Sequence, residues 1–131
     1  MRWLLVVAVV VVFLQHPSIG LAQQSPPMMW QIYMMFVATD AAVTKCLHPD
    51  AEKKQRFKAN QKYYEGLSKL QLKTMFPEKS NDLIDKTLME GADGITQHVR
   101  TIVDSDSCSS KRVAELIKPF DSLAGIGYGP K

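Results

Sequence analysis

The stretch NDLIDKTLMEGADGITQHVRTIVDSDSC, residues 81–108, decides the fold, because it joins a helical repeat of apolar residues to a cysteine. Ile84, Leu88, Ile95, Val99 and Ile102 recur at spacings of three, four and seven, the period that stacks side chains on one face of an α-helix. Pro77 and Ser80 punctuate the chain just before it, so the pattern predicts a helix from about Asn81 to Asp104. Gly91 and Gly94 lie inside that helix and weaken it by up to ~1 kcal/mol each relative to alanine. Cys108 follows its end, and the only other cysteine is Cys46.

Working outward, three more helical segments emerge. The first opens at Ser25-Pro26-Pro27, where serine can cap free backbone N–H groups and proline is tolerated in the first turn. It runs from about Met28 to Leu47 and is apolar almost all round, interrupted by Thr39, Asp40 and Thr44, as suits a central bundle helix rather than one lying on a membrane surface. His48-Pro49-Asp50 ends it and starts the second, since proline stops a helix and Asp50 and Glu52 favour the positive end of the next. The second extends to about Phe76. Asp106, Ser107, Ser109 and Ser110 supply cap chemistry for a fourth, Lys111 to about Ala124, with Val113, Leu116, Ile117 and Phe120 on one face and Pro119 expected to kink or shorten it. Gly125 to Lys131 reads as a loose tail. There is no sustained two-residue alternation between hairpin turns, no internal repeat and no linker, so residues 23–131 form one helical domain.

The cysteines test the topology. In an up-down-up-down bundle with short connections, the C-terminal ends of helices 1 and 3 lie together, and Cys46 and Cys108 fall at those two ends. The expectation is therefore an all-α, four-helix bundle with one disulfide joining the ends of helices 1 and 3. Closing a loop of that length stabilises by about 4 kcal/mol on the chain-entropy model. Two free thiols are the alternative in a reducing compartment.

The compartment follows from the other end of the chain. WLLVVAVVVVFL, residues 3–14, is an unbroken apolar run behind Arg2, too short for the roughly 20 residues that a spanning helix needs. Pro17 and then Gly20-Leu21-Ala22 complete the pattern of a secretory signal peptide over residues 1–22, with cleavage after Ala22. The residue directly after that point is Gln23 and not a cysteine, so no lipid anchor is indicated and no stable membrane anchor is expected. Of the whole chain's 131 residues and +3 formal charge, the mature part keeps 109 residues. Its basic count falls from 16 to 15 with the loss of Arg2, against 13 acidic residues, for a formal charge of +2. That balance gives no reason to expect nucleic acid as a partner.

Few residues suggest chemistry. His48 lies two residues from Cys46, but a cysteine committed to a disulfide cannot act as a nucleophile. His98 reads as a partly exposed structural histidine. The chain has no H-E-x-x-H, C-x-x-C or C-x-x-C-H pattern, so the commonest zinc, redox and haem sites are not indicated, and no cofactor is expected. Met28, Met29, Met34 and Met35 crowd the first helix; thioethers suit Cu(I), but methionine interleaved with Trp30, Ile32, Tyr33 and Phe36 is more simply core packing or a greasy contact surface. Asp82 with Asp85, and Glu90 with Asp93, are three apart on a helix and read as its wet side rather than as a hydrolytic pair.

The clearest functional signal is cationic. Lys54, Lys58 and Lys62 are spaced by four, and Lys69 and Lys73 return to nearly the same angle, giving a basic stripe on helix 2. Seven basic residues lie between Lys53 and Lys73 against Glu52 and Glu65, while the third segment is acidic, so charge is expected to be polarised across the fold. A solvated face is the plain reading of such a stripe. The functional one is an electrostatic docking surface for a protein partner with an acidic surface. A non-enzymatic, exported, bacterial periplasmic protein that inhibits or neutralises a cell-envelope toxin or hydrolase is the most concrete form of that expectation. A small-ligand or metal carrier using the methionine and aromatic cluster around Met34 and Met35 is the second.

Overall fold

The computed structural model describes residues 27–127. The expected signal peptide, residues 1–22, and the last part of the expected tail, residues 128–131, lie outside the described residues, as does Ser25. All regular structure among the described residues is helical: α1 (Met28–Cys46), α2 (Ala51–Met75), α3 (Asn81–Asp106), α4 (Lys111–Ile117) and α5 (Phe120–Gly125). Cys46 and Cys108 are bonded, S–S 2.02 Å, and tie the end of α1 to the turn that follows α3.

Local chemistry sets most helix ends. Asp50 accepts a hydrogen bond from the Lys53 N–H at 2.8 Å, Ser80 from Leu83 at 3.1 Å and Ser110 from Val113 at 3.2 Å, each satisfying one of the N–H groups a helix start leaves free. The start of α1 is different. Pro27 occupies its N-cap position without a side-chain cap, and the Met29 N–H is met from across the bundle by Gln71 Oε1 at 2.9 Å. After α3 the chain reverses at Ser107, whose φ of 69° and ψ of 162° lie in a region that side chains other than glycine enter at a cost of roughly 1–3 kcal/mol. The Ser107 N–H on the Val103 carbonyl at 3.0 Å and the adjacent disulfide hold it there.

The fourth segment departs from the expected single helix to Ala124. Pro119 carries no N–H and its ring obstructs the preceding turn, so the helix stops at Ile117 and restarts at Phe120. The break divides the packing as well. α4 packs Val113 against Val99, Ile102 and Val103 of α3 and Ala41 and Ala42 of α1. α5 packs Phe120, Leu123 and Ala124 against Phe57 of α2 and Phe36 and Val43 of α1. At 1.5 Å per residue α2 and α3 run nearly 40 Å, whereas α4 covers about 10 Å. α1 packs against all four other helices.

Three clusters make the core. The aromatic one sets Phe36 against Phe57 (ring centroids 5.2 Å apart) and Phe57 against Phe120 (4.9 Å) in tilted contacts that add about 0.5–1.5 kcal/mol each to burial alone. The third lies where no fourth helix reaches: Tyr33 and Val37 of α1, Leu72 of α2, Ile84 and Leu88 of α3. It is the one buried cluster that α2 and α3 share, so they meet towards their linked ends and diverge beyond. Gly91 serves this end. A Cβ there would stand 3.0 Å from the Trp30 ring and 3.2 Å from Met34 Cε, whereas one on Gly94 would meet nothing within 4 Å. A single buried amide closes the other end: Asn60 of α2 donates from Nδ2 to the carbonyls of Leu123 and Ile126, 2.8 Å each.

Candidate functional site

A polar cleft lies between α1 and α3. α1 contributes Asp40, Ala41, Thr44 and Lys45, α3 contributes Thr96 and Arg100, and the cleft has a volume of about 240 Å³. A second cleft of about 200 Å³ continues past Asp40 and Thr44 to the corner between α1 and α2, where Leu47, His48 and Lys54 line it. Both start from local helical geometry. Asp40 and Thr44, Thr96 and Arg100, and Lys54 and Lys58 are each four apart, so each pair projects from one side of its own helix.

The lysine stripe is divided by its surroundings. Lys58 Nζ lies 2.5 Å from Asp40 Oδ2, an ion pair between α2 and α1. Lys69 bridges Glu65 at 3.0 Å and Asp85 of α3 at 3.1 Å, and these two carboxylates raise its pKa above the ordinary lysine value. Lys73 donates to the carbonyls of Pro77, at 3.3 Å, and Lys79, closing the turn after α2 where the negative end of the helix dipole favours a cation. Lys54 and Lys62 are exposed and make no ion pair among the described residues. The basic face of α2 therefore consists of structural and uncommitted lysines, and acidic Asp85 neutralises part of it from α3.

Tyr33 lies beneath this network. Burial raises its pKa above the ordinary tyrosine value, and Glu65 and Asp93 add to the rise while Lys69 opposes it. A phenol whose ionised form is disfavoured in this way stays neutral and serves as packing with a polar tip.

The other candidates are not brought together. Met34 is half-buried in the third cluster, whereas its neighbour Met35 is 44% exposed and Met28 65% exposed, so consecutive methionines leave α1 on different sides. His48 is exposed at the α1–α2 corner and His98 is exposed on α3. Asp82, Asp85, Glu90 and Asp93 are all exposed; Asp85 is held by Lys69, and Glu90 faces Lys86 at 3.8 Å. Among the described residues, no three His, Cys, Asp or Glu side chains converge as a metal site. No helix among them is long and apolar enough to cross a membrane.

Sequence reasoning did not single out Thr96, Arg100 or Asn60. For the cleft a signal existed: two polar residues four apart, Asp40 and Thr44, in a mostly apolar helix. Nothing local marks Asn60, because its partners are 63 and 66 residues away. Comparison of the chain with protein-family models, with curated proteins and with solved structures returns no match in any of the three.

Proposed function

We propose that this is an exported helical protein that works by binding another protein, whose acidic surface docks on the cationic lip presented by Lys54 and Lys62. The most concrete form is a bacterial periplasmic inhibitor or immunity-type protein acting on a cell-envelope toxin or hydrolase. The observation that carries the reading is the contrast within one ridge. Lys58, Lys69 and Lys73 are occupied by the fold's own acceptors, whereas Lys54 and Lys62 are exposed without an ion pair among the described residues. Such charges can steer and meet a partner's carboxylates without breaking an intramolecular pair. Two further features support the role. A disulfide belongs to an oxidising compartment, in keeping with the export signal expected at residues 1–22, and a stapled bundle loses little conformational freedom on binding.

Affinity capture of the mature, oxidised protein from an envelope or secretion fraction tests the proposal, followed by association kinetics with the captured protein across a salt series. The double variant Lys54→Glu/Lys62→Glu is expected to slow association about tenfold at low salt and to flatten its salt dependence. Reversal of Lys111, which lies by the α3–α4 seam, should leave the rate near that of the parent. Association that is insensitive to salt and unchanged in the double variant removes the ridge from the mechanism.

A further inference from the structure

We infer that the cleft between α1 and α3 is a binding site for a single oxyanion group, a carboxylate or a phosphate, held by the hydroxyls of Thr44 and Thr96 and by the guanidinium of Arg100. This site adjoins the proposed protein contact, since Thr44 also lines the cleft that reaches Lys54, but it does not depend on it.

The hydroxyls are the first reason. A threonine inside a helix can turn its hydroxyl back to the carbonyl four residues earlier, and Thr74, Thr87 and Thr101 do so, at 2.9, 2.8 and 3.0 Å. Thr44 and Thr96 line the cleft and make no such bond among the described residues. Two helices thus offer uncommitted O–H donors to one space. Charge is the second reason. Arg100 is exposed and makes no ion pair among the described residues, and its planar fork of N–H donors matches an oxyanion. Lys45 adds a second cation, held only at 3.4 Å by an exposed Asp104. The one carboxylate in the lining, Asp40, is neutralised by Lys58, which leaves the space net positive and disfavours a cation or an amine. Size is the third. About 240 Å³ falls below the roughly 300–1,000 Å³ of drug-sized ligand pockets and suits one small acid or one phosphoryl group.

The test is an NMR titration of the isotopically labelled, oxidised mature protein with inorganic phosphate, with acetate and with chloride at matched ionic strength. Saturable shifts at the amides of Thr44, Thr96 and Arg100 with phosphate or acetate, and none with chloride, support the site. Saturation by phosphate alone assigns a tetrahedral anion, and saturation by acetate alone assigns a carboxylate. Thr96→Val keeps the branched shape and removes the hydroxyl, so binding should weaken about tenfold; Arg100→Gln should weaken it at least as much, and Lys111→Gln should not change it. If Thr96→Val proves unfolded in a thermal melt, Thr44→Val at an exposed position carries the same prediction. Shifts that follow ionic strength with every salt, or affinity unchanged in both Thr44→Val and Arg100→Gln, overturn the inference.

Discussion

Replacing Asn60 by alanine should be among the costliest polar substitutions in this protein, although the residue makes no contact that its sequence neighbourhood suggests. Asn60 is 2% exposed, and its amide donates to the carbonyls of Leu123 and Ile126 at 2.8 Å each, with the Ala124 carbonyl at 3.5 Å. These are carbonyls at the end of α5, where a helix has no N–H groups of its own left to satisfy them. An unsatisfied buried acceptor costs about 1–3 kcal/mol. The Leu123 carbonyl belongs to a buried residue and bears that cost in full, whereas Ile126 is half-buried and water recovers part of it, giving about 2–4 kcal/mol for Asn60→Ala. Ser68→Ala is the control. Ser68 is fully buried, but its hydroxyl donates to the Tyr64 carbonyl of its own helix at 2.8 Å, which keeps its backbone bond, so the loss should be ~1 kcal/mol or less. Equilibrium urea unfolding of the oxidised protein, with a common slope for all variants, measures both. Amide exchange in α5 should quicken in Asn60→Ala before it changes elsewhere. Asn60→Asp extends the argument: at neutral pH a carboxylate faces only acceptors, so this variant should be less stable than the alanine one and should recover as acid protonates it. Equal costs for Asn60→Ala and Ser68→Ala, or an Asn60→Asp variant as stable as the parent at neutral pH, would refute the capping role.

Four other outcomes follow from particular contacts. Gly94→Ala should raise stability by up to ~1 kcal/mol, since a methyl group there meets nothing within 4 Å, whereas Gly91→Ala forces Trp30 and Met34 apart and should lower it by about 1 kcal/mol net; urea midpoints of the two decide. Ser107→Gly should stabilise by about 1 kcal/mol because glycine adopts the positive φ without strain, and an unchanged or lower melting temperature would contradict this. Opening the disulfide in a Cys46→Ser/Cys108→Ser variant should cost about 4 kcal/mol for a bridge spanning 62 residues, read as a lowered urea midpoint. Finally, Tyr33 and Lys69 both have pKa values raised in the folded state. Their contributions are complete below the unfolded values of 10.0 and 10.5 and are lost as pH climbs through the folded ones. Thermal stability should therefore fall from about pH 10 upward, less steeply in Tyr33→Phe.

Helices and their pairing were legible in the chain because both rest on short-range chemistry. Asp50, Ser80 and Ser110 cap as their positions imply, the period of residues 84–102 marks the buried face of α3, and Cys46 and Cys108 sit where two antiparallel connections bring them. The fourth segment was harder to read. Pro119 signalled a break, but its consequence, α5 packing on α2, depends on Phe120, Leu123 and Ala124 finding Phe57 and Phe36, which are distant in sequence. Gly91 and Gly94 are likewise equivalent in the sequence and opposite in the fold, since only one of them faces Trp30.

By itself, then, the sequence determined the elements, their order and the covalent staple, because propensity, capping and cysteine count act within a few residues or through a single bond. The tertiary structure alone decided which charges are free. Lys54 and Lys58 carry the same charge on the same side of one helix, yet Lys58 lies against Asp40 of α1 while Lys54 faces the open corner beside His48. Ion pairing between helices is set by where the packed core places their flanks, so the uncommitted cations, and the cleft that Asp40 and Thr44 of α1 form with Thr96 and Arg100 of α3, exist only once the helices are packed.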